Sequence, residues 1–152
     1  MSTDLDIRPG EITVEMPTNF DAGVYFIGRI HTPWTKRSDC PKQGDPENGP
    51  VCQIEIDPPW QDALDGIERH ENFQILYWMD QARRDIVRQS PRSDGNTRGT
   101  FSLRSPVRPN PIASSAVKLV GREGSVLLVR GLDCLDGTPL IDVKPDYCDH
   151  AT

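Results

Sequence analysis

Short apolar runs, separated by turn residues and prolines, define the pattern of this chain. Residues 51–57 alternate apolar and polar side chains, which is the period of a strand with one buried face. Residues 73–79 are almost continuously apolar and predict a central strand that is covered on both faces. Residues 24–31 are rich in aromatic and β-branched side chains and predict a strand, and shorter runs at 99–103 and 140–143 predict two more.

A hairpin, a short helix and a long loop complete the pattern. The apolar runs at 116–120 and 126–129 flank a glycine-containing turn, which is typical of a β-hairpin. Two prolines precede residues 60–67, where proline in the first turn predicts a short helix. Residues 35–50 are polar, with several prolines and glycines, and predict a long loop. Six or seven strands with one short helix indicate an all-β barrel or sandwich.

Composition supports one β-domain with a short extension. The chain has 152 residues with 14 prolines and 12 glycines, which disfavours a helical bundle. Residues 1–21 show no clear period, so we expect an N-terminal arm at 1–21 and one β-domain at 22–150. No apolar run approaches the roughly 20 residues that span a bilayer, and the acidic N-terminus lacks the apolar stretch of a secretory signal. We therefore expect a cytoplasmic protein without membrane association.

The charge is unevenly distributed along the chain. The formal net charge is −6, which on its own disfavours a nucleic-acid-binding protein. Residues 83–108, however, contain seven arginines against two aspartates and no lysine. Arginine suits planar recognition of phosphate or carboxylate, and a basic stripe on an acidic body can bind RNA locally. The alternative interpretation is a solvated face whose arginines balance nearby acids.

The four cysteines do not form a metal-binding pattern. Cys40, Cys52, Cys134 and Cys148 include no C-x-x-C pair, so buried thiols are expected and a zinc site is disfavoured. The chain also lacks the glycine motifs of dinucleotide and P-loop sites. We predict no metal.

Residues 104–111 form the first of two loops with clear chemistry. Three prolines within six residues keep the backbone extended, so Arg104, Arg108 and Asn110 can project in fixed directions at little entropic cost. The alternative is a rigid connection between strands whose arginines pair with local acids.

Residues 133–139 form the second loop, around Asp136 and Gly137. Asp-Gly is a turn signal, so a plain β-turn is one interpretation. The other is that Asp136 and Asp142 act as partners of Arg104 or Arg108 of the first loop. Together the two loops predict a polar, anionic or nucleotide-like ligand without naming a reaction.

Taken together, these loops closely resemble the TsaA-like family, also called the YaeB or TrmO family. The resemblance rests on R-S-P-V-R-P-N-P-I at 104–112 and on D-G-T-P-L-I-D-V-K-P at 136–145. I-G-R-I-H-T-P at 27–33 and C-P-K-Q at 40–43 are similar to two further family motifs. The resemblance covers residues 24–147.

This resemblance implies a fold and an activity. The fold is a single-sheeted β-barrel with one short helix and long loops. The activity is that of an S-adenosyl-L-methionine-dependent methyltransferase, which acts as a homodimer on N6 of threonylcarbamoyl-adenosine next to the tRNA anticodon. The implied partner is the tRNA anticodon loop. A catalytically inactive cofactor- or RNA-binding barrel, and a methyltransferase of another substrate, are the alternatives.

The resemblance also implies roles for individual residues. Asp136 is the candidate base or orienter for the proton that N6 loses. Arg108, Asn110 and Lys144 are implied to lie near the substrate. The residues implied for the cofactor come from four loops and are Pro41, Lys42, Gln43, Asp80, Gln81, Arg104, Ser105, Cys134, Leu135, Asp136 and Gly137.

Overall fold

Nine strands form two separate sheets within residues 6–146, the part of the chain that this computed structural model describes. Residues 1–5 of the predicted arm and the end of the predicted β-domain, with Cys148, lie outside the described residues. In chain order the strands are β1 Ile12–Thr13, β2 Gly28–His31, β3 Cys52–Ile56, β4 Asn72–Trp78, β5 Ile86–Gln89, β6 Arg98–Gly99, β7 Ile112–Glu123, β8 Val126–Arg130 and β9 Thr138–Pro145.

Six of these strands close into a barrel in the order β2-β3-β8-β7-β4-β9. The pairings of β2 with β3 and β9, of β3 with β8, of β4 with β9 and of β7 with β8 are antiparallel. The other three strands form a second sheet in the order β1-β5-β6. The all-β prediction is confirmed, and the second sheet is an addition to the single sheet that the resemblance implied.

Contacts between residues divide the chain into two units. The barrel unit consists of Val24–Trp78 and the chain from Ser114 onward. The arginine unit consists of the chain up to Gly23 and Met79–Ala113. The predicted division into an arm at 1–21 and a β-domain at 22–150 stays a prediction.

The interior of the barrel unit follows from side-chain alternation along its strands. On β3, Cys52, Ile54 and Ile56 are buried while the two residues between them are exposed. The strand prediction for residues 51–57 is therefore confirmed together with its face. Ile30 of β2, which is opposite Ile54 in the register, is also fully buried.

β4 confirms the predicted strand at 73–79 but not its burial on both faces. Phe73, Ile75 and Tyr77 are buried, and the residues between them are only half-buried. A strand of a closed barrel has one interior face, and its other side chains point outward. The continuous apolar run therefore gives an alternating strand whose outer face is partly covered.

Two of the other predicted strands differ from the structure in length. β2 is shorter than the run at 24–31, because residues 24–26 are exposed and Tyr25 packs on Trp60 with a 5.8 Å centroid distance. β9 is longer than the run at 140–143. The hairpin prediction is confirmed by the pairing of β7 with β8.

The helices among the described residues are short 3-10 segments. One of them, Pro58–Leu64, occupies the position of the predicted helix at 60–67, and it ends before Gly66, whose φ of 83° is left-handed. None has the length and apolar character of a membrane span. The others are Arg37–Asp39, Ile67–Arg69 and Thr100–Ser102.

Buried hydrogen bonds organise the arginine unit. Gln89 Nε2 donates to Thr100 Oγ1 at 2.9 Å and to the Val107 carbonyl at 2.8 Å. Thr100 Oγ1 in turn donates to the Ile86 carbonyl at 2.7 Å. This network holds the segment in a 3-10 helix. The prediction of a strand at 99–103 is therefore wrong. β1 and β5 were not predicted, because runs of two and four residues are too short to show a period.

Gly28 gives a direct test of the barrel closure. A Cβ at this position would collide with the Glu55 carbonyl across the β2–β3 pairing, so we expect Gly28→Ala to lower the free energy of unfolding by at least about 2 kcal/mol. Gly99→Ala is the matched control, because its Cβ would meet open space at a φ of −61°. Urea unfolding measures both. Equal stability of the two variants would contradict this packing.

Candidate functional site

The acidic turn, residues 133–137, is attached to the end of β2 by backbone hydrogen bonds. The Gly137 amide donates to the Ile30 carbonyl at 2.8 Å, and the Asp136 amide donates to the Trp34 carbonyl at 2.8 Å. Two segments about 100 residues apart in sequence thereby form one local structure. The motif at 27–33 and the Asp-Gly turn are therefore in direct contact.

Thr32 adds two side-chain links to the same junction. Its Oγ1 donates to the Cys134 carbonyl at 2.8 Å, and its amide donates to Asp136 Oδ1 at 3.1 Å. The Trp34 amide donates to the same hydroxyl at 3.3 Å. One threonine thus satisfies backbone and side-chain groups on both segments, and it fixes the Asp136 carboxylate.

The turn itself has the geometry that its sequence predicts. Gly137 has a φ of 85°, which is the left-handed region that glycine adopts at no steric cost. Thr138 Oγ1 and the Thr138 amide both donate to the Leu135 carbonyl, at 2.6 and 3.3 Å. Within residues 6–146 the Leu135 amide has no hydrogen-bond acceptor, so this backbone donor of the half-buried Leu135 is unpaired.

The Asp136 side chain lies at the surface of the turn with 42% of its area exposed. Its Oδ1 is 3.5 Å from His31 Nδ1, and His31 Nε2 is 3.5 Å from Glu55 Oε2. The imidazole therefore stands between two carboxylates on the outside of the barrel. Sequence reasoning missed His31 and Glu55, because β2 and β3 must pair before the three groups meet.

Cys134 is a buried member of the turn rather than an accessible one. The residue is 3% exposed, and burial raises the pKa of its thiol to about 12. Its contribution to the turn is the carbonyl that accepts from Thr32. Among the described cysteines none forms a disulfide, and residues 6–146 contain no cluster of three His, Cys, Asp or Glu that could hold a metal ion.

A buried polar group lies directly before the turn. The Tyr77 hydroxyl donates to Asp133 Oδ1 at 2.8 Å and lies 2.8 Å from Ser115 Oγ. Burial raises the pKa of Tyr77, so the phenol keeps its proton and remains a donor. Sequence reasoning missed this trio, which ties β4 and β7 to the first residue of the acidic turn.

The other predicted residues of the barrel unit occupy an exposed loop and a strand end. Pro41, Lys42 and Gln43 are exposed and precede Gly44, whose backbone lies against the Gly131 carbonyl. This close approach excludes any side chain at position 44 and anchors the loop. The substrate candidate at the end of β9, the ammonium of Lys144, is 3.0 Å from Asp142 Oδ2.

In the arginine unit, the predicted residues fall into an exposed pair and a braced loop. Asp80 and Gln81 follow β4 and are exposed. Arg104 is exposed, and Ser105 Oγ accepts a hydrogen bond from the Val107 amide at 3.2 Å. These four cofactor assignments stay predictions.

Arginine side chains brace the loop at 104–111 from within. Arg108 Nη1 donates to the Leu103 and Ser105 carbonyls at 2.7 and 3.1 Å. Arg84 Nε donates to the Pro109 carbonyl at 2.6 Å, and its Nη2 reaches Asn110 Oδ1 at 3.3 Å. The loop is therefore stiffened by guanidinium–carbonyl bonds as well as by proline, and Asn110 is used as an acceptor.

Comparison with known proteins agrees with the resemblance. The profile of the family described as tRNA-methyltransferase O N-terminal domain matches residues 29–151. A Rhizobium radiobacter protein named probable S-adenosyl-L-methionine-binding protein VirR is 53% identical over 140 residues, which are 92% of this chain and 79% of that protein. A protein of Methanothermobacter thermautotrophicus with the same binding description is 43% identical, over 81% of this chain and 88% of that protein.

A solved structure shows the same fold. The crystal structure of TrmO from Pseudomonas aeruginosa matches with a TM-score of 0.69 at 31% identity, and the match covers 84% of this chain. It covers 57% of that chain, so the present chain spans less than two thirds of the solved protein.

Thiol labelling tests the burial of the turn. In a Cys148→Ser background, half-buried Cys40 should react first with a disulfide reagent at pH 8. Cys52 and Cys134 should react at least about 100-fold more slowly, because labelling requires local opening and burial raises their pKa values to about 11 and about 12. Denatured protein, in which all three react alike, is the control. Fast labelling of Cys134 in the folded protein would contradict the described turn.

Proposed function

This chain belongs to the family of tRNA-methyltransferase O N-terminal domains, and from that membership we propose that it binds S-adenosyl-L-methionine and transfers its methyl group to a nucleic acid. The relatives named above carry a cofactor-binding description, and the matching solved structure is a TrmO protein. The acidic turn, held to the end of β2 by Thr32, is the observation that supports the proposal most directly.

The groups on this turn suit the chemistry of the cofactor. One oxygen of Asp136 accepts from Thr32, which leaves the exposed second oxygen to accept from a ribose hydroxyl or an ammonium group. The unpaired Leu135 amide is a donor of the kind that adenine nitrogens accept. A carboxylate and a backbone donor on one turn therefore complement a sulfonium cation that carries an amino acid and a nucleoside.

S-adenosyl-L-methionine supplies an electrophilic methyl group on a sulfonium centre. The residues of this chain have to align the acceptor nitrogen with this methyl group and with the sulfur behind it. Positioning of this kind supplies much of the rate. Asp136 is proposed either to hold the cofactor through Oδ2 or to take, with the same oxygen, the proton that the acceptor nitrogen gives up. Thr32 and His31 both contact Asp136 Oδ1, at 3.1 and 3.5 Å, so the carboxylate needs little reorganisation.

The proposed substrate is N6 of threonylcarbamoyl-adenosine next to the tRNA anticodon. Support comes from the family and from the arginines of residues 83–108, whose guanidinium groups suit phosphate and the threonine carboxylate. Arg108, Asn110 and Lys144 are the proposed substrate residues. A homodimer and a cytoplasmic location are further proposals that follow from the family.

A cofactor-binding protein without transfer activity is the second candidate. Both relatives are described as binding S-adenosyl-L-methionine, without mention of methyl transfer. Both candidates require the acidic turn to bind the cofactor, and they differ in whether radiolabelled methyl groups reach tRNA.

Asp136→Asn is the variant that tests the proposal. The amide keeps an oxygen for the Thr32 amide but removes the negative charge, so the turn should stay folded while the affinity for S-adenosyl-L-methionine falls by roughly 10-fold. Calorimetric titration measures the affinity, and methyl transfer to tRNA measures activity. Asp62→Asn, an exposed acid of the same unit, is the matched control. Unchanged cofactor affinity in Asp136→Asn would contradict the proposed site.

A further inference from the structure

Phe101 is displayed by the arginine unit with 80% of its surface exposed. It lies in the 3-10 helix that begins at Thr100, and that residue is buried and hydrogen-bonded to Gln89 and Ile86. The Leu103 amide closes the turn by donating to the Thr100 carbonyl at 3.1 Å. The backbone beneath the ring is therefore fixed, and the exposed ring is presented on a structured base.

A cation is held beside this ring. The Arg108 guanidinium carbon lies 5.8 Å from the Phe101 ring centroid, within the range of a cation–π contact. Arg108 cannot move away freely, because its Nη1 donates to the Leu103 and Ser105 carbonyls. The result is an exposed aromatic ring with a fixed positive charge over one of its two faces.

A cleft of about 480 Å³ adjoins this pair. Leu103, whose carbonyl holds Arg108, is one of its lining residues. Arg92 and Arg98 also line the cleft, and within residues 6–146 neither guanidinium has a hydrogen-bond or ion-pair partner. Asp94 is the acid in the lining, and its carboxylate already accepts from Asn96 and Ser90.

We propose that Phe101, Arg108 and the cleft of Arg92 and Arg98 bind single-stranded RNA, with one base stacked on the Phe101 ring and an adjoining phosphate in the cleft. Aromatic faces beside arginines are the usual means of holding unpaired bases. The inference rests on the proposed function and specifies where its RNA substrate is held.

The charge favours RNA over other occupants of this surface. Residues 83–108 contain seven arginines and two aspartates, and one of these acids, Asp85, is paired with Arg83 at 2.6 Å. The excess positive charge of this segment complements phosphate. A base-paired duplex would offer phosphates but no free base face for the ring.

Substitutions at Phe101 separate stacking from general hydrophobic contact. The probe is a short RNA hairpin with an unpaired loop, and binding is followed by fluorescence anisotropy without S-adenosyl-L-methionine. We expect Phe101→Ala and Phe101→Leu to weaken binding by roughly 10-fold, and Phe101→Trp to retain it. Phe20→Ala is the matched control, because Phe20 is also 80% exposed and has the Arg84 guanidinium 5.0 Å from its ring. This control should stay within about twofold of the unchanged protein.

The cleft is tested through the salt dependence of the same binding. Arg92→Ala and Arg98→Ala should each lower the slope of log affinity against log salt by about one, as expected for one lost phosphate contact. A fully paired RNA of the same length should not distinguish Phe101→Ala from the unchanged protein. If Phe101→Ala binds the hairpin as the unchanged protein does, the inference is wrong.

Two further outcomes would also overturn the inference that this surface binds RNA. Equal losses in Phe20→Ala and Phe101→Ala would mean that the effect is not specific to this site. A change of sedimentation in Phe101→Ala with unchanged RNA affinity would assign the ring to an interface between copies. Failure of the proposed function can be distinguished from failure of this inference. The first would appear as a loss of S-adenosyl-L-methionine binding, whereas the RNA-binding measurements are made without that cofactor.

Discussion

The closure of the barrel at β2 is the constraint on which the candidate site depends. This strand has four residues, yet it pairs with β3 on one side and with β9 on the other. Gly28 permits the close approach to Glu55, and Ile30 fills the interior. Because β9 follows the acidic turn directly, the register of β2 with β9 also decides where that turn lies. The backbone bond from Gly137 to Ile30 continues this pairing into the turn.

The site therefore derives its rigidity from the sheet rather than from a loop of its own. Thr32 hydrogen-bonds to the Cys134 carbonyl and to the Asp136 carboxylate. The Tyr77–Asp133 hydrogen bond fixes the residue that precedes Cys134. Among the contacts of residues 6–146, the second carboxylate oxygen of Asp136 and the Leu135 amide have no hydrogen-bond partner. Preorganised polar groups of this kind bind a ligand without paying for their own ordering.

The arginine unit uses its charges differently. Arg84 and Arg108 are engaged with backbone carbonyls of the loop at 104–111, so they stiffen it in addition to carrying charge. Arg92 and Arg98 keep their guanidinium groups available at the cleft. A count of arginines alone does not separate these two roles, which decide where an anion can bind.

Much of the barrel could be predicted from local patterns, whereas the site could be predicted only in part. Alternation at 51–57 gave both the strand and its buried face, since a period of two is visible in a single segment. The Asp136-Gly137 turn was also predictable from a single segment, because Asp-Gly is a turn signal.

The contacts of that turn were not predictable from local patterns. The link from Thr32 to Asp136 joins residues 104 positions apart, and it exists only after β2 and β9 have paired. The strand predicted at 99–103 failed because Thr100 bonds into a buried polar network, which hydrophobic periodicity does not register.

The central claim is that the acidic turn and the end of β2 bind S-adenosyl-L-methionine as one unit. The most direct measurement is an NMR titration that follows backbone amide shifts on addition of this cofactor. The account predicts that the largest and saturable shifts belong to the Leu135, Asp136 and Thr32 amides. Saturable binding that leaves these three amides unchanged and shifts others would contradict it.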